Sequence, residues 1–321
     1  MKVVVTTKDF CEEAKRYLES EGFEVALRNR LGIGAGAPDD VLYPVVEDAD
    51  AIIAGTETYR PELLARLRNL KLICRNGIGY DAINLDALRK EGIGRTRTKG
   101  FVEGAVAEQV MAYILYFARR VDLQSADMHD HCWNSRLMPG AKNHTIGLVG
   151  FGGIGTEVAK RAVPFGMKVI YFCRHPNPAD DAAYGVQSVS MEELLKESDY
   201  VVAAVPLTDQ TFHLFNEERI AQMKAGSVLI NIARGPVVDE EALAQALASG
   251  HLGGCAVDVF PKEPCTNSVL TRYANALLTP HSATSTAENS KATNFAAANN
   301  LVNYLKKDID AKYVVVQGTR Y

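Results

Sequence analysis

Residues 145–155 read Thr145-Ile146-Gly147-Leu148-Val149-Gly150-Phe151-Gly152-Gly153-Ile154-Gly155, an apolar strand running into a glycine-rich turn. Thr156 to Pro164 then continue with helical periodicity, so the turn joins a strand to a helix. In that setting the GxGxxG spacing has a physical meaning. Gly150 permits the tight turn, Gly152 lets the backbone approach a pyrophosphate, and Gly155 lets the helix pack close to the strand. The N–H groups of Gly153 and Ile154 at the helix start are then placed to receive phosphates. The stretch predicts a dinucleotide-binding α/β unit.

Working outward, short apolar runs alternate with helical segments, the pattern of parallel α/β folds. After Thr145–Val149 the expected strands are 168–172, 200–205, 227–231 and 254–259, nearly all apolar as befits strands covered on both faces. A first series precedes them, with strands at Val3 to Val5, Ala51 to Ala54 and Lys71 to Cys74. Helices are expected from Phe10 to Glu21, from Pro61 to Arg68 and from Gly104 to Arg120, where Arg119 and Arg120 suit a helix C-terminus. An alanine-rich helix from about Thr284 to Lys306 and a strand at 313–316 close the chain. The fold class is therefore α/β.

Composition narrows the function classes. With 47% hydrophobic and 23% charged residues among 321, the chain can bury large cores and shows no disorder signature. A net charge of -4 argues against nucleic acid or an anionic membrane as the main partner. Cys11, Cys74, Cys132, Cys173, Cys255 and Cys265 are scattered, without CxxC pairs or a histidine cluster at metal-ligand spacing. Reduced, mostly buried thiols are expected, with no metal site. No signal peptide or membrane span is legible, and a cytoplasmic location is expected.

An NAD-binding unit is expected to end its second strand in an acid that takes the ribose hydroxyls. Here the chain reads Tyr171-Phe172-Cys173-Arg174-His175, with no acid and an arginine at once. Arg174, helped by His175, suits the 2′-phosphate of NADP, so NADP is favoured and NAD remains possible.

Three further segments end strands of this unit: 231–236 with Arg234, 258–264 with Asp258 and Glu263, and 278–283 with His281. Hydride transfer to a 2-oxo acid needs a cation for the carboxylate and a proton donor for the developing alkoxide. Arg234 offers a planar fork, His281 a proton, and Glu263 a carboxylate to hold the histidine ring. Each residue alone has an ordinary surface reading; their joint occurrence after one phosphate loop does not.

With these motifs in order, the chain resembles the D-isomer-specific 2-hydroxyacid dehydrogenase family over essentially its full length. The carriers are the phosphate loop, Asn231 to Gly235 followed by Pro236-Val237-Val238-Asp239, Asp258 to Pro264, and Thr279-Pro280-His281. The resemblance implies that Arg234, Glu263 and His281 are catalytic, that Asp258 contacts the nicotinamide carboxamide, and that Val205-Pro206-Leu207 lines the adenosine side. It implies a substrate loop at Arg75-Asn76-Gly77-Ile78-Gly79-Tyr80-Asp81, where N–H groups near Ile78 and Gly79 take the carboxylate and Asn76 faces the same cleft. Ala107-Glu108 resembles a helix start of the family, with Glu108 as a structural acid at a domain junction. Gly153 stands where many members have a larger, often basic residue.

The resemblance also implies two Rossmann-like domains. A doubly wound, parallel-sheet cofactor domain (104–284) is inserted into a flavodoxin-like substrate domain (1–103 and 285–321), with crossings near Gly104 and Thr284. A homodimer is implied, with Trp133 and Arg136 in its arm. The expected activity is an oxidoreductase moving hydride between a nicotinamide cofactor and C2 of a small 2-oxo/2-hydroxy acid such as hydroxypyruvate or glyoxylate. One alternative is 3-phosphoglycerate oxidation, suggested by Ala54-Gly55-Thr56-Glu57, with Arg75, Arg95 and Arg97 as phosphate candidates or plain surface charge. The other is a dinucleotide-sensing, corepressor-like binding protein. Formate dehydrogenases carry glutamine where Glu263 stands, which disfavours that activity.

Overall fold

The computed structural model describes residues 1–28, 36–79 and 83–320. The chain divides into two compact units, Met1–Val102 with Thr284–Tyr321, and Glu103–Ala283. In the first series the strands are β1 (Lys2–Val5), β2 (Glu24–Leu27), β3 (Ala51–Ala54), β4 (Leu72–Arg75) and β5 (Gly94–Arg97). They are followed by β6 (Thr145–Val149), β7 (Lys168–Phe172), β8 (Gln187–Ser188) and β9 (Tyr200–Ala203). The last are β10 (Val228–Asn231), β11 (Gly254–Val257), β12 (Ala276–Leu278) and β13 (Val314–Val316).

In the unit Glu103–Ala283 the described strands run β12-β11-β10-β9-β6-β7-β8, every pairing parallel. Counted from β6, this is the order of a Rossmann sheet, which reverses direction between β6 and β9. Alternate residues of the strands feed two separate cores. Val149, Val201 and Leu229 pack on one face, and Ile146, Leu148, Val202 and Ile230 on the other. Helices cover both faces, which is why these strands tolerate no polar side. Helix Glu103–Arg119 joins the second core and packs along helix Gly153–Ala162.

The other unit has sheet order β13-β5-β4-β3-β1-β2, the flavodoxin order with β13 added antiparallel at its edge. Helix Ala287–Leu305 lies on the face that carries Val3, Val5, Ile53 and Cys74. Its start is fixed by Thr286, whose hydroxyl accepts the Asn289 N–H.

Several boundaries differ from the sequence reading, each for a local reason. β9 stops at Ala203, before Pro206 removes a ladder donor. β11 stops at Val257, because Asp258 turns its chain into the next loop. Helix Glu103–Arg119 ends one residue early. Arg120 takes a left-handed φ of 41° and pairs with Asp122 in the next helix, Val121–His129. β5 went unread because Gly94-Arg95-Thr96-Arg97 looks like a polar loop, yet Arg95 is only 1% exposed.

The thiols depart from expectation too. Cys74 and Cys255 are buried, Cys11, Cys173 and Cys265 are half-buried, and Cys132 is exposed. Cys11 and Cys173 sit at element ends, Cys265 in the loop after β11, and Cys132 on the stretch after helix Val121–His129. Among the described residues no helix is long and apolar enough to cross a membrane, and no group of three potential metal ligands occurs.

Candidate active site

The phosphate loop leaves β6 at the point where the sheet order reverses, beside the end of β9. Gly150 has φ +103°, and a Cβ there would collide with the Ala204 carbonyl oxygen, so only glycine closes this turn. A Cβ on Gly155 would stand 2.7 Å from the Gly150 oxygen, which keeps the helix tight against the strand. Gly152 meets nothing within 4 Å, leaving open space over the turn. No side chain caps this helix, and its first intrahelical bond is Thr156 N–H to Gly152 O at 2.9 Å. The N–H groups of Gly153, Ile154 and Gly155 are therefore without intrahelical acceptors. An open, uncapped helix start over a bare glycine fits a dinucleotide pyrophosphate.

Val205 reaches over Gly150, its Cγ1 lying 3.1 Å from where a Cβ would be. Pro206 follows in a turn closed by Thr211, whose hydroxyl donates to the Pro206 carbonyl at 2.6 Å. On the other flank β7 ends at Phe172, next to the loop through Gly150 N–H to Phe172 O at 2.8 Å. Cys173 is half-buried there, and Arg174 and His175 are exposed. The nearest following acid in the chain that faces this strand, Asp181, is engaged by the Tyr171 hydroxyl at 2.7 Å.

Beyond β10, Asn231 holds the next loop from inside. Its amide donates to Arg234 O at 3.0 Å and accepts Ala233 N–H at 3.1 Å. Arg234 is half-buried in extended backbone, and its Nη1 donates to Ala233 O at 2.7 Å. A Cβ on Gly235 would overlap the Phe260 carbonyl group, so the loop with Arg234 sits directly on the loop with Glu263.

Glu263 and His281 are joined. His281 Nδ1 lies 2.7 Å from Glu263 Oε2, and Glu263 Oε1 accepts Phe260 N–H at 3.0 Å. Partial burial pushes the Glu263 carboxyl up, but the His281 bond, the Phe260 N–H and the charges of His281 and Arg234 outweigh it. The net result is a carboxyl held below its ordinary value. An ionised Glu263 can only accept, so Nδ1 carries the proton and Nε2 is left for exchange.

The backbone of His281 is left-handed at φ 50°, uncommon for a histidine and held by Asp258. His281 N–H donates to Asp258 O at 2.7 Å. The Asp258 carboxylate, 1% exposed, accepts Ser282 N–H at 2.8 Å, Ala283 N–H at 3.0 Å and the Thr279 hydroxyl at 2.6 Å. Tyr113 OH lies 2.5 Å from Thr279 Oγ1. Because Thr279 donates its one proton to Asp258, Tyr113 is the donor to Thr279. Asp258 is thus a clamp on both sides of His281. Tyr113 belongs to this chain of hydroxyls and was not singled out from the sequence; nothing distinguishes it there from twelve other tyrosines.

In the other unit, Asn76–Gly79 follow β4. The Arg75 guanidinium wraps this loop, donating to Asn76 O at 2.7 Å and Gly79 O at 3.3 Å. Both amide N–H groups of Asn76 are engaged, by Thr7 Oγ1 at 3.0 Å and Asn294 Oδ1 at 2.9 Å, which leaves only Oδ1 without a partner. Gly77 O accepts Thr98 N–H at 3.0 Å. The N–H groups of Ile78 and Gly79 donate to no acceptor among the described residues. Tyr80 and Asp81 lie outside the described residues. Arg95 is not the surface charge allowed for above, since it is buried in β5, and Arg75 acts as a loop clasp.

Two further corrections concern helix Glu103–Arg119. It starts at Glu103, so Ala107 and Glu108 lie in its second turn. Glu108 is exposed; the buried acid of this helix is Glu103, 7% exposed.

Comparison with known proteins agrees with this layout. Residues 111–283 match the model of the D-isomer specific 2-hydroxyacid dehydrogenase, NAD binding domain. A glyoxylate reductase of Thermococcus litoralis is 37% identical over 287 residues, 86% of this chain and 87% of that protein. A hydroxypyruvate reductase of Thermotoga maritima is 37% identical over 256 residues, 78% of this chain and 82% of that one. The crystal structure of TT0316 protein from Thermus thermophilus superposes with a TM-score of 0.87 at 36% identity, covering 98% of this chain and 100% of the other. Fold and relatives together define an oxidoreductase with a nicotinamide cofactor. The chain belongs to the D-isomer specific 2-hydroxyacid dehydrogenase family, and as an enzyme it is an NAD(P)-dependent D-2-hydroxyacid dehydrogenase.

Proposed function

We propose that this enzyme reduces a small 2-oxo acid, hydroxypyruvate or glyoxylate, with NADPH preferred over NADH. The observation that carries the reaction is the His281–Glu263 pair beside Arg234, at the strand ends of a unit with an open phosphate loop. The reductases of Thermococcus litoralis and Thermotoga maritima support the substrate class.

The reduced nicotinamide supplies the hydride that reaches C2 of the acid. Arg234 binds the substrate carboxylate and carbonyl oxygen through its planar fork. His281 gives its Nε2 proton to the oxygen that becomes the 2-hydroxyl, while Glu263 keeps Nδ1 protonated and the ring in place. In the oxidising direction the same nitrogen takes the proton back. In the other unit, Ile78 and Gly79 are assigned to the substrate acid, on a loop that Gly77 and Asn76 keep in shape. The unit Glu103–Ala283 is assigned to the dinucleotide and the other unit to the substrate.

Gly150, Gly152, Gly153, Ile154 and Gly155 are assigned to the pyrophosphate, Val205 and Pro206 to the adenosine side. Asp258 is assigned to the nicotinamide end through Oδ2, which has one acceptor position left beside its bond to Ala283. Cys173, Arg174 and His175 occupy the ribose end, where Arg174 is exposed and no acid stands at the strand end. That arrangement supports NADP, because a carboxylate would repel its 2′-phosphate and a guanidinium pairs with it. The chain is further assigned as a homodimer. Helix Val121–His129 buries no residue, and the stretch after it leaves Trp133 88% exposed while Arg136 pins it to Asp127 at 2.8 Å. An arm that exposes Val121, Met128, Trp133 and Leu137 together is suited to a second copy.

The test is the rate of NADPH and NADH oxidation with hydroxypyruvate, glyoxylate, pyruvate and 3-phosphohydroxypyruvate. Turnover of the first two, faster with NADPH, is expected. Turnover of the phosphorylated acid alone would replace this reading with phosphoglycerate oxidation.

A further inference from the structure

We propose that Glu103 sets how tightly the phosphate loop grips its dinucleotide, by placing a carboxylate beside the first turn of the loop's helix. The inference rests on the dinucleotide reading above. Gly153 opens helix Gly153–Ala162, and Glu103 opens the helix packed against it. A Cβ built on Gly153 would lie 2.8 Å from Glu103 Cγ and 3.1 Å from its Oε1. The Glu103 side chain thus fills the place of any side chain at position 153. A side chain at position 153 would have to displace that of Glu103.

The electrostatic consequence follows from where the two helices begin. A helix start carries partial positive charge and favours an anion, an effect confined to its first turn. The loop helix has no acidic residue in its own first turn, so the carboxylate next to it comes from Glu103. Glu103 is 7% exposed, where solvent screens charge less than at the surface. A bound dinucleotide brings its pyrophosphate to the N–H groups of the same turn. Two anions then share one positive end, and the grip on the pyrophosphate is weaker than the loop alone would give. NADH and NADPH have that pyrophosphate in common. Weakening it lowers affinity for both and leaves discrimination to contacts only one cofactor can make, of which Arg174 is the candidate.

The test is isothermal titration of the full-length protein and of Glu103→Gln, which keeps the shape and removes the charge, with NADPH, NADH and 2′-AMP. Both dinucleotides should bind Glu103→Gln about three- to tenfold more tightly, by the same factor. The nucleotide without a pyrophosphate should bind both proteins alike. Unchanged or weaker dinucleotide binding by folded Glu103→Gln overturns the inference, as does tightening of 2′-AMP. Should Glu103→Gln not fold, Glu103→Asp withdraws the carboxylate from Gly153 and should also tighten both; dinucleotide affinities equal to those of the natural protein overturn the inference. Failure of the natural protein to bind either dinucleotide removes the cofactor reading itself, a different result from equal affinities.

Discussion

His281 Nδ1 lies 2.7 Å from Glu263 Oε2, and the other oxygen of that carboxylate is fixed by the Phe260 N–H. The pair is therefore oriented from the backbone outward, with the side chain of His281 37% exposed against 23% for Glu263. His281→Ala removes the proposed proton donor and should lower kcat by about 10²- to 10⁴-fold. Cofactor affinity, measured by titration, should stay within about twofold. Full turnover in the alanine variant would assign the proton to another group.

The lowered Glu263 carboxyl gives the pH dependence a sign. Its ionised form accounts for stability that is fully present above the ordinary glutamate range and is lost as pH falls through the lower folded value. Between pH 5 and 8 Glu263 is thus an anion, and no activity limb in that window belongs to it. Glu263→Gln removes the carboxylate that holds the His281 ring through Nδ1, so kcat at neutral pH should fall about tenfold or more. An unchanged kcat in steady-state rates would separate Glu263 from the proton step.

Arg234→Lys replaces a fork with a point charge on a loop held by Asn231. The loss should be about 1.5–3 kcal/mol of transition-state binding, roughly 10- to 100-fold in kcat/KM. Retained kcat/KM would show that position 234 needs only a positive charge.

At the ribose end, Arg174→Ala should reduce NADPH affinity about tenfold or more and leave NADH nearly unchanged. An unaltered NADPH-to-NADH ratio of kcat/KM contradicts the 2′-phosphate assignment.

Gly235→Ala sets a methyl group into the Phe260 carbonyl region. The backbone must shift, at a cost of about 1–3 kcal/mol, lowering Tm in a thermal melt. Activity should fall further than stability, because the displaced loop carries Glu263. An unchanged Tm would mean that the two loops are not tightly seated.

The α/β alternation, the phosphate loop and the segments carrying Arg234, Glu263 and His281 were legible in the sequence because each rests on local pattern: apolar runs, glycine spacing, a charged residue just past a strand. β5 was not, since Arg95 in Gly94-Arg95-Thr96-Arg97 carries a charge that only tertiary context buries. The Asp258 clamp was not, since one carboxylate gathers donors from 24 and 25 residues away. Glu103 was missed for a related reason. An acid at the head of an apolar helix reads as a solvated cap until Gly153, fifty residues on, is found against it.

The most direct test of the central claim follows the hydride itself. Hydroxypyruvate and glyoxylate are incubated with the enzyme and NADPH carrying deuterium on the transferring face of C4, and the products are read by mass spectrometry and NMR. One deuterium bonded to C2 of the 2-hydroxy acid is the predicted result, with the label absent when His281→Ala is used over the same time. Unlabelled product, or no reduction while the cofactor remains tightly bound, would contradict hydride transfer to a 2-oxo acid at this site.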